Sequence, residues 1–184
     1  MKMKRGISLI EILVTVSMIV ILLNLSFPAL RHYQKEVQLK AVKEDVRTLL
    51  IQARNYALNP QISQDSLGNT LEIKNYAVCL ENGSTLLIKE NINTSACTDG
   101  QEISGTKKDY SREGINIKFQ ENYGHPRDQY EVQAIVFDVT DPLHFYVCNA
   151  GGHLNGGNNT GITIKNATSS VLLKINNKGE ITEQ

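Results

Sequence analysis

The sequence predicts an α+β protein in which one long N-terminal helix packs on an antiparallel β-sheet. Three observations carry that expectation. An apolar run fills Ile7 to Leu30, and it passes without a break into a stretch whose apolar residues recur every three or four positions. Beyond Asn59-Pro60 the chain becomes a series of short β-branched runs separated by turn signals. The 184 residues leave room for one globular domain of ordinary size plus an appendage. Basic and acidic side chains number 19 each, so no basic excess points to nucleic acid and no acidic excess to a solvating tail.

The first element is the run over 7–30, in which Glu11 is the only charged residue. As a helix rising about 1.5 Å per residue it is long enough to cross a bilayer core of about 30 Å. Lys2, Lys4 and Arg5 precede it, which keeps the N-terminus cytoplasmic and sends the remainder across the membrane. A secretory signal would be shorter and would end in small residues, whereas Phe27 stands where a small residue is wanted, ahead of Pro28 and Ala29. Cleavage behind the run is therefore not expected.

Glu11 sets this run apart from a plain anchor. A carboxylate at the bilayer centre costs about 2.5 to 3.5 kcal/mol on insertion scales unless it finds a partner or a proton, and an anchor gains nothing from it. The stretch Lys4-Arg5-Gly6, then Ile7-Ser8-Leu9-Ile10-Glu11, resembles the class III signal of type IV prepilins and pseudopilins. That pattern is a short basic leader, a glycine, a hydrophobic first residue, then Thr or Ser, Leu, Ile or Leu, and Glu.

The resemblance implies that residues 1–6 are a leader, removed by a prepilin peptidase between Gly6 and Ile7 and followed by N-methylation of Ile7. It departs from the family at Ile7, where phenylalanine is usual. Glu11 then becomes the fifth residue of the mature chain and faces the new α-amino group of a neighbouring subunit, so that paired charges set the axial register. Pro28 falls where these proteins place a helix-bending proline. The implied partners are the prepilin peptidase, other pilins or pseudopilins, the inner-membrane assembly platform and membrane lipid. The implied location is the inner membrane, with a periplasmic or extracellular globular domain that enters a pilus or pseudopilus after assembly.

Past Pro28 the helix is expected to continue over 31–58 with one apolar stripe: Leu30, Tyr33, Val37, Ala41, Val42, Val46, Leu49, Leu50, Ala53, Tyr56 and Ala57. Arg31, Lys35, Gln38, Glu44, Arg47 and Arg54 fall between them. Asn59-Pro60 ends the helix, because proline disfavours helical geometry in the residue before it. Residues 59–184 form the globular domain. Seven strands are expected there, at NYAVCL, STLLIKE, INIKF, YEVQAIVFDV, LHFYVC, GITIKN and SVLLKIN. Turns are expected at Asn82-Gly83, Asp99-Gly100, Asn155-Gly156 and Lys178-Gly179.

Two further stretches resemble the GspH/FimT group of minor pseudopilins and pilins. LLIQARNYALN resembles the helix end of that group, and GITIKNATSSVLLKINNKGEI resembles its last hairpin and final short strand. Some pilus-associated members of the group bind DNA through a basic C-terminal region, which makes a DNA-receptor function in transformation the alternative to assembly. Here the segment 177–184 lacks the expected arginines, leaving Lys165, Lys174 and Lys178 as the local basic set. Loss of the leader would also take the basic count from 19 to 16 against 19 acidic side chains, which is poor provision for phosphate contacts.

Nothing in the sequence has catalytic spacing, and neither an enzymatic activity nor a cofactor is expected. Asp138, Asp141 and His153 read as turn and loop residues rather than metal ligands, and the glycine-rich stretch 151–157 reads as a loop between strands. Of the three cysteines, Cys79 with Cys97 would close a loop of under about 20 residues, worth roughly 3 kcal/mol in the chain-entropy account. Cys79 with Cys148 would staple two strands, and buried free thiols are the remaining alternative.

Overall fold

The computed structural model describes residues 9–60, 63–64, 70–92, 100–120, 131–149, 154–156, 160–176 and 180–183. The described residues up to Val37 cluster as one unit and those from Gln38 onward as a second. One helix, α1 (Leu9–Leu58), runs through 50 residues and contains Pro28. Its first part is apolar, and its described side chains from Leu9 through Leu30 are exposed. It is long and apolar enough to cross a membrane, with a mean hydropathy of 2.3 over its most apolar window.

Within the second unit, α1 buries Leu39, Val42, Val46, Leu49, Leu50, Ala53 and Ala57. These spacings of mainly three and four place all seven on one face. The expected stripe is corrected at its start: Leu30, Tyr33, Val37 and Ala41 are exposed, and Leu39 is buried in their place. Leu39 lies seven residues before Val46 and so beneath the same face, whereas Ala41 is turned about 100° from Val42. The helix ends at Leu58, ahead of Asn59-Pro60 as expected, and the Asn59 N–H donates to the Asn55 carbonyl to close its last turn.

The strands in chain order are β1 (Ser63–Gln64), β2 (Thr70–Leu71), β3 (Asn75–Glu81), β4 (Thr85–Glu90), β5 (Gln101–Glu102) and β6 (Lys108–Asp109), then β7 (Asn116–Gln120), β8 (Glu131–Asp138) and β9 (Phe145–Asn149), and finally β10 (Leu154–Gly156), β11 (Thr160–Lys165), β12 (Ser170–Ile175) and β13 (Ile181–Glu183). All seven expected strands form. β1 and β2 make a separate two-stranded ribbon, and the others build one antiparallel sheet. β8 is its hinge: one edge pairs with β3 and then with β7, and the other pairs with β9. The β7 side continues through β11, β12 and β13, while the β3 side continues through β4 to β5 and β6.

Alternation in the central strands separates two faces. Tyr76 and Val78 of β3, Leu86 and Ile88 of β4, Ile135 and Phe137 of β8, and Phe145 and Val147 of β9 join the buried face of α1 in one core. Ala77, Cys79, Leu87, Ala134, Val136 and Cys148 form a smaller core on the opposite face of the sheet. The β3–β4 hairpin turns at Asn82-Gly83, both with positive φ as a type I′ turn requires. The expected turn at Asn155-Gly156 is corrected. Those residues belong to β10, which pairs with β9 so that Asn155 faces Val147, and the glycine-rich stretch is therefore partly strand. Lys178-Gly179 and Asp99 lie outside the described residues.

Candidate functional site

Gly6 and Ile7 lie outside the described residues, so the structure bears on the N-terminal signal only from Leu9 onward. Glu11 occupies the first turn of α1 and is exposed. The uncharged polar side chains that follow are accommodated within the helix. Thr15 donates to the Ile12 carbonyl at 2.9 Å, Ser17 to Leu13 at 2.8 Å, Asn24 to Val20 at 2.8 Å and Ser26 to Leu22 at 2.9 Å. Such back-bonding removes hydroxyl donors from an apolar medium. A carboxylate has no proton to give a carbonyl, so Glu11 cannot be accommodated in this way. Pro28 sits inside α1 and has no N–H for the carbonyl of Asn24, four residues earlier.

The cysteine pairing expected with Cys79 is corrected. Cys79 is a free, buried thiol and Cys148 is disulfide-bonded, so neither Cys79–Cys97 nor Cys79–Cys148 forms. Cys97 is the remaining cysteine of the sequence and lies outside the described residues. The register explains why strand stapling fails. Cys79 is opposite Ala134, and Ala134 is opposite Cys148, so the two sulfurs lie on one face two strands apart. At about 4.8 Å per strand their Cα atoms are about 9.6 Å apart, beyond the span of a disulfide.

The basic set is dispersed. Lys165 pairs with Ser170 at one end of the β11–β12 hairpin, and Lys174 pairs with Gly161 near the other. Four residue steps, about 13 Å along the strand, separate the two positions. Lys178 lies outside the described residues. At the edge of the sheet, Lys43 of α1 donates to Glu183 of β13 at 2.9 Å. That bond, opposed by burial and helped by Glu44, raises the Lys43 pKa. Tyr110 donates to Asp45 at 3.1 Å; burial first, and the Asp45 charge second, raise its pKa. Asp138 accepts from Thr140 and Asp141 bonds His144 at 2.9 Å, so both aspartates serve the β8–β9 turn. His153 lies outside the described residues.

Two features escaped sequence reasoning. A groove of about 160 Å³ runs beside the end of α1, lined by Leu50, Arg54, Phe137, Ile175 and Ile181 among others, and the Nε of Arg54 is buried there without a hydrogen-bond partner among the described residues. Its walls come from four separate elements, so no local motif announces it. The second is Asn24, the only carboxamide in the apolar part of α1, whose signal in the sequence was its residue type alone.

The chain is thus an α+β protein with an N-terminal helix able to span a membrane, followed in sequence by an antiparallel sheet unit. No protein-family model, curated protein or solved structure matches it.

Proposed function

We propose that this chain is a non-enzymatic minor pilin or pseudopilin. On this reading a prepilin peptidase cuts it between Gly6 and Ile7 and methylates the new N-terminus. The mature chain then joins other pilins, through an inner-membrane assembly platform, in a type IV pilus or a type II secretion pseudopilus. The observation that carries the reading is one carboxylate, Glu11, in the first turn of a lipid-length helix that follows a basic leader and Gly6. The continuity of α1 into an amphipathic half docked on an antiparallel sheet supports it.

The chemistry follows from charge. The cut frees an α-amino group at Ile7, and the Glu11 carboxylate of a neighbour displaced along the filament axis meets it. Each charge alone is costly in lipid, and the pair is less so, which favours a single axial offset. Glu11→Ala is expected to leave cleavage unchanged but to lower recovery of the chain in sheared filaments by roughly tenfold, the equivalent of about 1.4 kcal/mol. Equal recovery of variant and wild type would contradict the role given to Glu11.

A further inference from the structure

In lipid, every polar group of a span has to be satisfied within protein. Thr15, Ser17 and Ser26 manage this alone, because a hydroxyl has one proton and each gives it to its own helix. Asn24 does not. A carboxamide has two N–H donors and an acceptor oxygen. Asn24 is exposed and uses one N–H, on the Val20 carbonyl. Among the described residues its second N–H and its Oδ1 have no partner, and Pro28 withholds a helical donor from the Asn24 main-chain carbonyl at the same level.

At about 100° per residue, Ser17, Asn24 and Pro28 fall within an arc of about 40°, and Asn24 is about 140° round the axis from Glu11. Thr15 and Ser26 fall on the Glu11 side. The span therefore has two polar faces.

We infer that the face bearing Ser17, Asn24 and Pro28 docks a second copy of this chain, parallel and at equal depth, through a reciprocal Asn24–Asn24 carboxamide bond. Two copies inserted with the same orientation bring identical residues to one level, and a carboxamide with one N–H and one C=O open is complementary to itself. Equal-depth contact through the other face would set Glu11 against Glu11, and like charges oppose that. The Asn24 face thus serves side-by-side pairing in the membrane, leaving the Glu11 face for the staggered contact proposed above. This inference rests on α1 as a membrane span and not on filament assembly.

The test uses the full chain, labelled with donor or acceptor dyes, in phosphatidylcholine vesicles over a range of dilutions, with energy transfer as the readout. Wild type is expected to pair. Asn24→Leu should raise the dissociation constant by about 5- to 30-fold, the worth of an interhelical carboxamide bond. Asn24→Gln should retain most of the pairing, and Thr15→Val, on the other face, should not disturb it. The inference is overturned if Asn24→Leu pairs as tightly as wild type, or if Thr15→Val abolishes pairing. A wild type that stays monomeric, or that associates only with a different membrane helix, overturns it equally. No assembly protein is present, so an uncut leader in cells would sink the pilin reading while leaving this result intact.

Discussion

Cys79 points from β3 into the small core on the outer face of the sheet, and burial pushes its pKa up to about 12. Since the thiolate is the reacting species, iodoacetamide at pH 8 should leave Cys79 unlabelled in the folded chain and label it on unfolding. Rapid labelling without denaturant would contradict the burial. Under denaturing, non-reducing conditions Cys148 should remain protected, because it is disulfide-bonded. Tyr110 gives a prediction with a pH sign. Its folded-state pKa lies above the unfolded value near 10, so its contribution is complete below about pH 10 and declines as pH rises beyond that. Tyr110→Phe is expected to cost about 1 kcal/mol at neutral pH, through loss of the bond to Asp45, and less above about pH 10. Denaturant titrations at pH 7 and pH 11 would show it, and a cost that stays constant with pH would contradict the assignment.

At the scale of elements, the core between α1 and the sheet turns on which helical positions it uses. Leu39→Ala should destabilise by about 2 to 5 kcal/mol, whereas Ala41→Ser should change stability by less than about 0.5 kcal/mol, since Ala41 is exposed. Thermal unfolding of both variants would decide between the observed face and the one expected from residue type. Gly100 is a sharper case: its φ is +75°, and an added Cβ would lie 2.8 Å from the Glu90 carbonyl oxygen. Gly100→Ala should therefore cost more than about 1 kcal/mol, and an unchanged melting temperature would contradict the geometry. The long strands were legible because alternation and β-branching persist over five or more residues, as in β8 and β11. β5, β6 and β10 were not. β5 and β6 are two residues long and exist only through pairing with β4, as Glu102 does with Lys89, and β10 is three residues long and exists only by pairing back on β9. The stripe on α1 was legible in period but not in extent. The apolar residues before Leu39 continue the pattern and are nevertheless exposed. Of the site, Glu11 and Pro28 stood out as exceptions to a local pattern, whereas the Arg54 groove is assembled from distant elements and has no local signature.

For the whole molecule, a helix able to span a membrane precedes a sheet unit in the chain. On the proposed reading, Glu11 makes the contact between staggered subunits and the sheet unit lies outside the membrane. The role proposed for Glu11 depends on the leader being recognised, since the α-amino group it would meet is freed only by the cut. The most direct measurement is N-terminal sequencing of the full chain expressed in membranes with and without an active prepilin peptidase. With the enzyme, the mature chain is expected to begin at Ile7, its mass increased by one methyl group, and without the enzyme Met1 to Gly6 should remain. A chain that keeps its leader in both preparations, or that is cut at another position, would contradict the account.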